Sequence, residues 1–147
     1  MVKRGHHTGF TVKDLERTVT FYTEGLGLEI ASRVHGPKEY HADITGYPGC
    51  TLEVAFLAVP ESPSIEFIQY VAPTGEPLDM ETYHPGSGHI ALVVDNVEEL
   101  VPRLKSLGGT PRSPAPISID SGPNKGSLIA YVRDPDGITV ELIQPAG

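Results

Sequence analysis

Apolar residues recur along this chain with two readable periods. Val97, Leu100, Val101 and Leu104 stand at the i, i+3, i+4, i+7 spacing of an amphipathic helix. Asn96 before them is a capping residue, Glu98 and Glu99 suit the positive end of a helix dipole, and Gly108-Gly109 mark the stop. Earlier in the chain the pattern returns less cleanly, with Asp14 as cap, Leu15, Val19 and Tyr22 on one face, and Gly25 and Gly27 as stops. Between the helices, segments of strand length rich in β-branched and aromatic residues run over His7 to Val12, Thr51 to Val59, Ser64 to Tyr70, His89 to Val94, Ser127 to Val132 and Ile138 to Gln144. Leu28 to Val34 adds one more, and Asp134-Pro135-Asp136-Gly137 is a hairpin-type turn.

The chain also repeats itself. A shift of 82 positions lays His7 on His89, Val12 on Val94, Leu15 on Val97, Glu16 on Glu98, Val19 on Val101 and Gly27 on Gly109. A shift of 75 lays Ala55-Phe56-Leu57 on Ala130-Tyr131-Val132, Pro60 on Pro135, and Ile65-Glu66-Phe67-Ile68-Gln69 on Val140-Glu141-Leu142-Ile143-Gln144. The two shifts differ because the loops between the blocks differ in length. The expected architecture is α+β: one domain over residues 1–147, made of two tandem βαβββ modules at about 5–71 and 87–146. The Pro- and Gly-rich stretch Ala72 to Ser87 joins them, and helices cover the outer face of a cupped mixed sheet.

Strand alternation then sorts the polar residues. Ile90, Leu92 and Val94 share the face suited to a helix, as do Val140 with Leu142 and Ile65 with Phe67. His89, Glu66 and Glu141 fall on the opposite face, and His7 follows as the repeat partner of His89. If the sheets curve together about a pseudo-twofold axis, His7, Glu66, His89 and Glu141 converge on one point. Two imidazoles and two carboxylates suit a borderline divalent ion such as nickel, cobalt, zinc, manganese or iron, with positions left for substrate. Read singly, a histidine at a strand end is a surface residue and a glutamate on a strand faces water; recurrence at matched positions is what lifts these four.

The remaining polar residues carry weaker expectations. His6, on the other side of the strand from His7, is expected at the surface, and so are the loop residues His35, His41 and His84. Gln69 and Gln144 lie on the face opposite the glutamates and are expected to be structural. The unmatched stretches Gly36 to Gly49 and Pro111 to Gly126 are where specificity should reside, with Tyr40, His41, Asn124 and Lys125 as substrate-contact candidates.

Composition narrows the function by exclusion. A net charge of −8 and a pI near 5.1 leave no basic footprint for nucleic acid or an anionic membrane surface. Hydrophobic residues at 39% and charged ones at 20% of 147 residues are those of a chain that folds on its own. No apolar run long enough for a membrane span or an export signal is present, and the lone Cys50 is expected to be a packing residue, so a cytoplasmic location is expected.

The residues that carry a family resemblance are His7-Thr-Gly-Phe-Thr-Val-Lys-Asp-Leu, Phe21-Tyr22, Leu26-Gly27, Ile65-Glu66-Phe67, Gly88-His89-Ile90-Ala91-Leu92-Val93-Val94-Asp95 and Asp134-Pro-Asp-Gly-Ile-Thr-Val-Glu141-Leu. They resemble the vicinal oxygen chelate superfamily, which includes glyoxalase I, methylmalonyl-CoA epimerase, fosfomycin resistance enzymes, bleomycin-binding proteins and extradiol dioxygenases. The resemblance implies one divalent metal at His7, Glu66, His89 and Glu141, a set similar to that of bacterial glyoxalase I. It implies a lyase or isomerase that moves a proton next to a carbonyl through a metal-stabilised enediolate, with Glu141 or Glu66 as the base. The implied partners are a small-molecule thiol conjugate or thioester and a second copy of the chain. Arg33, Asn124 and Lys125 are the available groups for glutathione carboxylates. An epimerase, a ring-cleaving dioxygenase and a non-catalytic antibiotic-binding protein are the alternatives; Glu66 where the epimerase pattern has Gln counts against the first of these.

Overall fold

The computed structural model describes residues 1–147 and divides into two compact units, Met1–Pro77 and Leu78–Gly147. The boundary falls inside the expected connecting stretch. In the first unit the order is β1 (His7–Thr11), α1 (Leu15–Leu26), β2 (Glu29–Val34), α2 (Glu39–Thr45), β3 (Thr51–Ala58) and β4 (Ser64–Ala72). The strands form one sheet in the order β1-β4-β3-β2, in which only β1 and β4 run parallel.

The second unit contains β5 (His89–Val93), α3 (Val97–Ser106), β6 (Thr110–Pro111), β7 (Ile117–Ser118), β8 (Leu128–Arg133) and β9 (Thr139–Gln144). Its sheet has the order β5-β9-β8-β6, with β7 also paired to β8 and with β5 and β9 parallel. Each unit thus follows the βαβββ plan with the same strand order, extended by α2 in the first and by the short β7 in the second, and the mixed α+β architecture is the expected one. β6 is only two residues long where its counterpart β2 has six. Pro111 in it has no N–H to give to a ladder.

The helix-facing side of each sheet holds the core. Ala55, Leu57, Ile65 and Phe67 are fully buried beneath α1, against which Phe21 and Tyr22 pack, and Val132, Val140 and Leu142 are fully buried in the second unit with Val97 and Leu104 of α3. Phe67 and the Tyr22 ring lie 4.5 Å apart, centroid to centroid. Burial of this apolar face is the main stabilising term, about 1.5–3 kcal/mol for each large aliphatic or aromatic side chain.

Helices α1 and α3 start on the capping residues read from the sequence: the Asp14 side chain accepts from the Arg17 N–H and the Asn96 side chain from the Glu99 N–H. A second clamp is repeated as well. The Leu15 N–H donates to Gln69 Oε1 at 2.8 Å and the Val97 N–H to Gln144 Oε1 at 3.0 Å. A helix leaves its first N–H groups without intrahelical partners, so a glutamine on the last strand satisfies one of them and ties helix to sheet. This is the structural role expected of Gln69 and Gln144.

Three expectations are corrected. Gly25 does not stop α1 but lies buried within it, and Gly27, at φ 73°, supplies the left-handed cap. The stretch Gly36 to Gly49 is not all loop: Glu39–Thr45 is α2, closed by Gly46 at φ 75°. His41 within it is 5% exposed, so it is not a surface residue.

The segment after the boundary is held to the second unit. The Glu81 carboxylate pairs with Arg112 at 3.1 Å and Arg133 at 3.0 Å, Arg133 also donates to the Met80 carbonyl, and the Ser87 hydroxyl donates to the Glu81 carbonyl. No helix in the structure is long and apolar enough to cross a membrane.

The glutamine clamps predict that Gln144→Leu, which strands the Val97 N–H, lowers the unfolding free energy by about 1–3 kcal/mol. Urea denaturation checks this, and an unchanged midpoint would show that the clamp carries no stability.

Candidate functional site

The parallel pairing of β1 with β4 places the first pair of candidate residues. His7 opens β1 and faces Ser64; two residues on, Gly9 faces Glu66. Residues two apart on a strand share a face, so imidazole and carboxylate lie on the same side of the sheet, away from α1. His7 Nε2 is 3.3 Å from Glu66 Oε2. Gly9 is what admits the carboxylate: a Cβ there would stand 3.0 Å from Glu66 Oε2. Phe56, directly across from Glu66 on β3, meets the His7 ring edge to face at 5.5 Å. The other nitrogen of His7 is engaged too, its Nδ1 lying 2.8 Å from His6 Nδ1, so one of the two rings carries the shared proton.

The second unit repeats the arrangement. β5 and β9 are parallel, His89 faces Thr139 and Ala91 faces Glu141. His89 Nε2 is 3.1 Å from Glu141 Oε2. Tyr131, directly across from Glu141 on β8, lies with its ring 5.5 Å from that of His89. Burial pushes the Tyr131 phenol above its usual range, and the charge of Glu141 and a hydrogen bond to it add to the effect. In each pair the glutamate side chain is 15% exposed and the histidine about two-fifths. Half-open imidazoles beside sheltered carboxylates suit groups that meet a ligand from solvent.

The open face of the first sheet is otherwise apolar. Cys50, Leu52 and Val54 are buried there, with Val34, Phe56, Ile68 and Tyr70 packed against them. Burial is also the main reason the Tyr70 phenol is raised, with Cys50, Tyr47 and Glu66 contributing. The packing role expected of Cys50 is what the structure shows.

The other candidates are dispersed. Arg33 lies across from Ala55, on the α1 side of the sheet, where both its Nη atoms bond the Glu16 carboxylate; it is turned away from His7 and Glu66. His35 is paired with Glu53, whose carboxyl it holds below the usual range together with the Gly36 N–H. His84 is paired with Asp79. Tyr40 is half exposed and stacks edge-on against the ring of buried His41, whose Nδ1 has no hydrogen-bond partner. Asn124 and Lys125 sit in the exposed turn that leads into β8, where the Asn124 carbonyl accepts from the Ser127 N–H and the Lys125 N–H donates to Gly122.

The four expected donors thus come together as two His/Glu pairs, one per unit, and no group of three or more His, Cys, Asp or Glu side chains assembles as an ion cage. Each pair presents an imidazole nitrogen and a carboxylate oxygen to one side, donors that fit a divalent ion of the borderline class. The sequence singles out no site role for Gly9, Phe56 or Tyr131, and His6, expected at the surface, is exposed there while also pairing with His7. Phe56 and Tyr131 were nonetheless matched by the 75-residue shift, so part of the signal was present in the repeat.

Known proteins resemble this chain over nearly its full length. The chain is 33% identical over 143 residues to the lactoylglutathione lyase of Salmonella typhimurium, covering 94% of this chain and 90% of that one. It is 33% identical over 144 residues to a lactoylglutathione lyase of Arabidopsis thaliana, covering 97% of this chain and 44% of the longer plant protein. Among solved structures, a glyoxalase family protein from Bacillus cereus superposes with a TM-score of 0.86 at 20% identity, over 100% of this chain and 97% of that one, a likeness of fold. Glyoxalase I from Zea mays superposes at 0.71 with 28% identity, over 98% of this chain and 45% of that one. The pattern of the Glyoxalase/Bleomycin resistance protein/Dioxygenase superfamily matches residues 4–142, and the chain belongs to that superfamily.

Proposed function

We propose that the protein is a divalent-metal-dependent lyase of the glyoxalase I type, acting on the hemithioacetal formed between a 2-oxoaldehyde and a thiol. The observation that carries this reading is the duplicated His/Glu pair, set at the same register in both units of a chain whose full-length relatives are lactoylglutathione lyases. His7 and Glu66 from the first unit and His89 and Glu141 from the second are the proposed donors. Each pair offers two of the four donors that a divalent ion takes from protein here, so the expected stoichiometry is one ion per chain. That holds whether the pairs sharing an ion belong to one chain or to two copies in a homodimer.

The ion, when bound, supplies Lewis-acid charge that eases loss of a proton beside a carbonyl. The chain's own part is positioning and proton transfer. Nε2 of His7 and of His89 face the carboxylates, and His6 fixes the far nitrogen of His7, as outer hydrogen bonds commonly orient imidazole donors. A glutamate Oε takes the proton from the carbon beside the carbonyl and returns it to the former carbonyl carbon, while the hemithioacetal hydroxyl proton passes to the former carbonyl oxygen. Cys50, Leu52, Val54 and their neighbours give the first unit's open face an apolar floor, which favours the aldehyde-derived part of such a substrate over water. Arg33 is removed from the thiol-binding candidates by its bond to Glu16, leaving Asn124 and Lys125 for a carboxylate on the thiol.

The decisive experiment pairs elemental analysis of the purified protein with turnover of the methylglyoxal–glutathione hemithioacetal after loading with nickel, cobalt, zinc, manganese or ferrous iron. One ion per chain with turnover is expected. Bound metal without turnover on any loaded form would overturn the lyase reading and direct attention to thioester isomerisation and dioxygen uptake; a metal-free protein that cannot be loaded would overturn the metal reading itself.

His89→Ala should lose metal affinity by at least about tenfold while stability stays within about 0.5 kcal/mol, since the side chain is half open to solvent. Full metal occupancy in that variant would show His89 is no donor. Lys125→Ala should raise KM for a glutathione substrate about two- to fivefold, the scale of one exposed charge contact, with no change in melting temperature. An unchanged KM would remove Lys125 from substrate binding.

A further inference from the structure

The open face of the second sheet holds polar groups that the His89/Glu141 pair does not use. Arg133 on β8 and Thr139 on β9 stand directly across from each other, and by alternation they share the face of Tyr131 and Glu141. Thr139 is 1% exposed, and its hydroxyl has no hydrogen-bond partner. Arg133 Nε is likewise buried without a partner. Buried polar atoms are rarely left so, because burial strips their water without replacing it. Beside Arg133 lies a strap, residues 78–87. Met80 is 3.7 Å from where a Cβ on Gly137 would stand, and its carbonyl accepts from Arg133 Nη2 at 3.2 Å. The Glu81 carboxylate takes both Nη atoms of Arg112, at 3.4 and 3.1 Å, but only Nη2 of Arg133, at 3.0 Å.

We propose that Arg112, Arg133 and Thr139 form a binding site for a small oxyanion, which Glu81 occupies from within the chain until such a ligand displaces it. A planar guanidinium receives a carboxylate or phosphate well side-on, through Nε and one Nη together. Glu81 leaves the Nε of Arg133 unused, and the hydroxyl across from it as well. A ligand not tethered to the strap can take Nε and Nη2 with two of its oxygens and approach the Thr139 hydroxyl. Charge favours the exchange. The Asp79 carboxyl, held below its usual range chiefly by the Glu81 N–H, with His84 and Arg133 adding, is the strap's second negative charge. Departure of the strap therefore leaves two guanidinium groups to the ligand. The strap also runs through Gly88 into His89, and its Ser87 hydroxyl is bound to the Glu81 carbonyl, so release of Glu81 loosens the lead into the His89/Glu141 pair. None of the three site residues is a proposed metal donor, so the site is independent of the lyase reading.

The test uses the full-length, metal-free protein, its Glu81→Gln and Thr139→Val variants, and sodium acetate or inorganic phosphate at constant ionic strength. Nitrogen-15 NMR of the arginine Nε–H groups, with the Arg133 signal assigned from Arg133→Lys, reads the site directly. At least one of the two anions should shift that signal to saturation, and the tighter of them tells whether the ligand's headgroup is a carboxylate or a phosphate. Binding should be about tenfold tighter in Glu81→Gln, which lacks the charged competitor, and about tenfold weaker in Thr139→Val, which lacks one hydrogen bond to a charged ligand. Exchange of the His84 and Ser87 amides, both bonded inside the strap, should quicken at saturation. Thr139→Val should keep its melting temperature, since the hydroxyl has no partner to lose; a lower one would reveal an internal water bridging Thr139 and Arg133 and overturn the proposal. No saturable shift in Glu81→Gln, equal affinity in Glu81→Gln and wild type, full affinity in Thr139→Val, or unchanged strap exchange would each overturn it as well.

Discussion

Parallel pairing between the first and last strands of each unit is the constraint from which the rest of the molecule follows. It forces the intervening chain to leave the sheet as a helix, cross one face and return, and so decides which face is covered. It also sets the register in which a histidine at the start of one strand lies beside a glutamate in the middle of the other. Neither residue could reach its partner from the neighbouring antiparallel strands without reversing its face, because a slip of one residue inverts every side chain. The core and the His/Glu pairs are two readings of the same alternation.

The glutamine clamps complete that logic from the covered side. Three residues beyond each glutamate, on the opposite face, Gln69 and Gln144 bind the first turn of α1 and α3. Each closing strand therefore carries on one face the groups proposed for chemistry and on the other the group that anchors the helix. A shift of that strand would disturb both at once, which gives the exposed pair the rigidity of the core.

Much of this was legible because the chain is written twice. Periodicity alone leaves short apolar runs ambiguous between strand and buried helix, but agreement between blocks at shifts of 82 and 75 settled both elements and parity. Where the copies diverge, reading failed for identifiable reasons. α2 has no counterpart in the second unit, and its seven residues, Glu39–Thr45, are too few to show a helical period, so His41 was read as exposed when it is buried. Gly25 reads as a stop by composition, yet it is buried inside α1, while Gly27 meets the need for positive φ. Arg33 was expected near a substrate, but alternation along β2 and the reach of Glu16 turn it to the helix side. Phe56 and Tyr131 were treated as strand-forming aromatics, because their contact with the His/Glu pairs depends on cross-strand register that one sequence does not display.

The ion pairs around Glu81 bear on how such a chain can be rearranged. They commit the residues just after Pro77 to the second unit, where Arg112 and Arg133 grip them. What joins the modules is thus not the whole Pro- and Gly-rich stretch but the few residues between the end of β4 at Ala72 and Leu78. A gene cut there would yield two fragments that each keep every strand, helix and clamp described above, one starting with its own fastened leader. The chain carries, in its ion pairs, the seam along which an ancestral duplication could have been stitched or could again be parted.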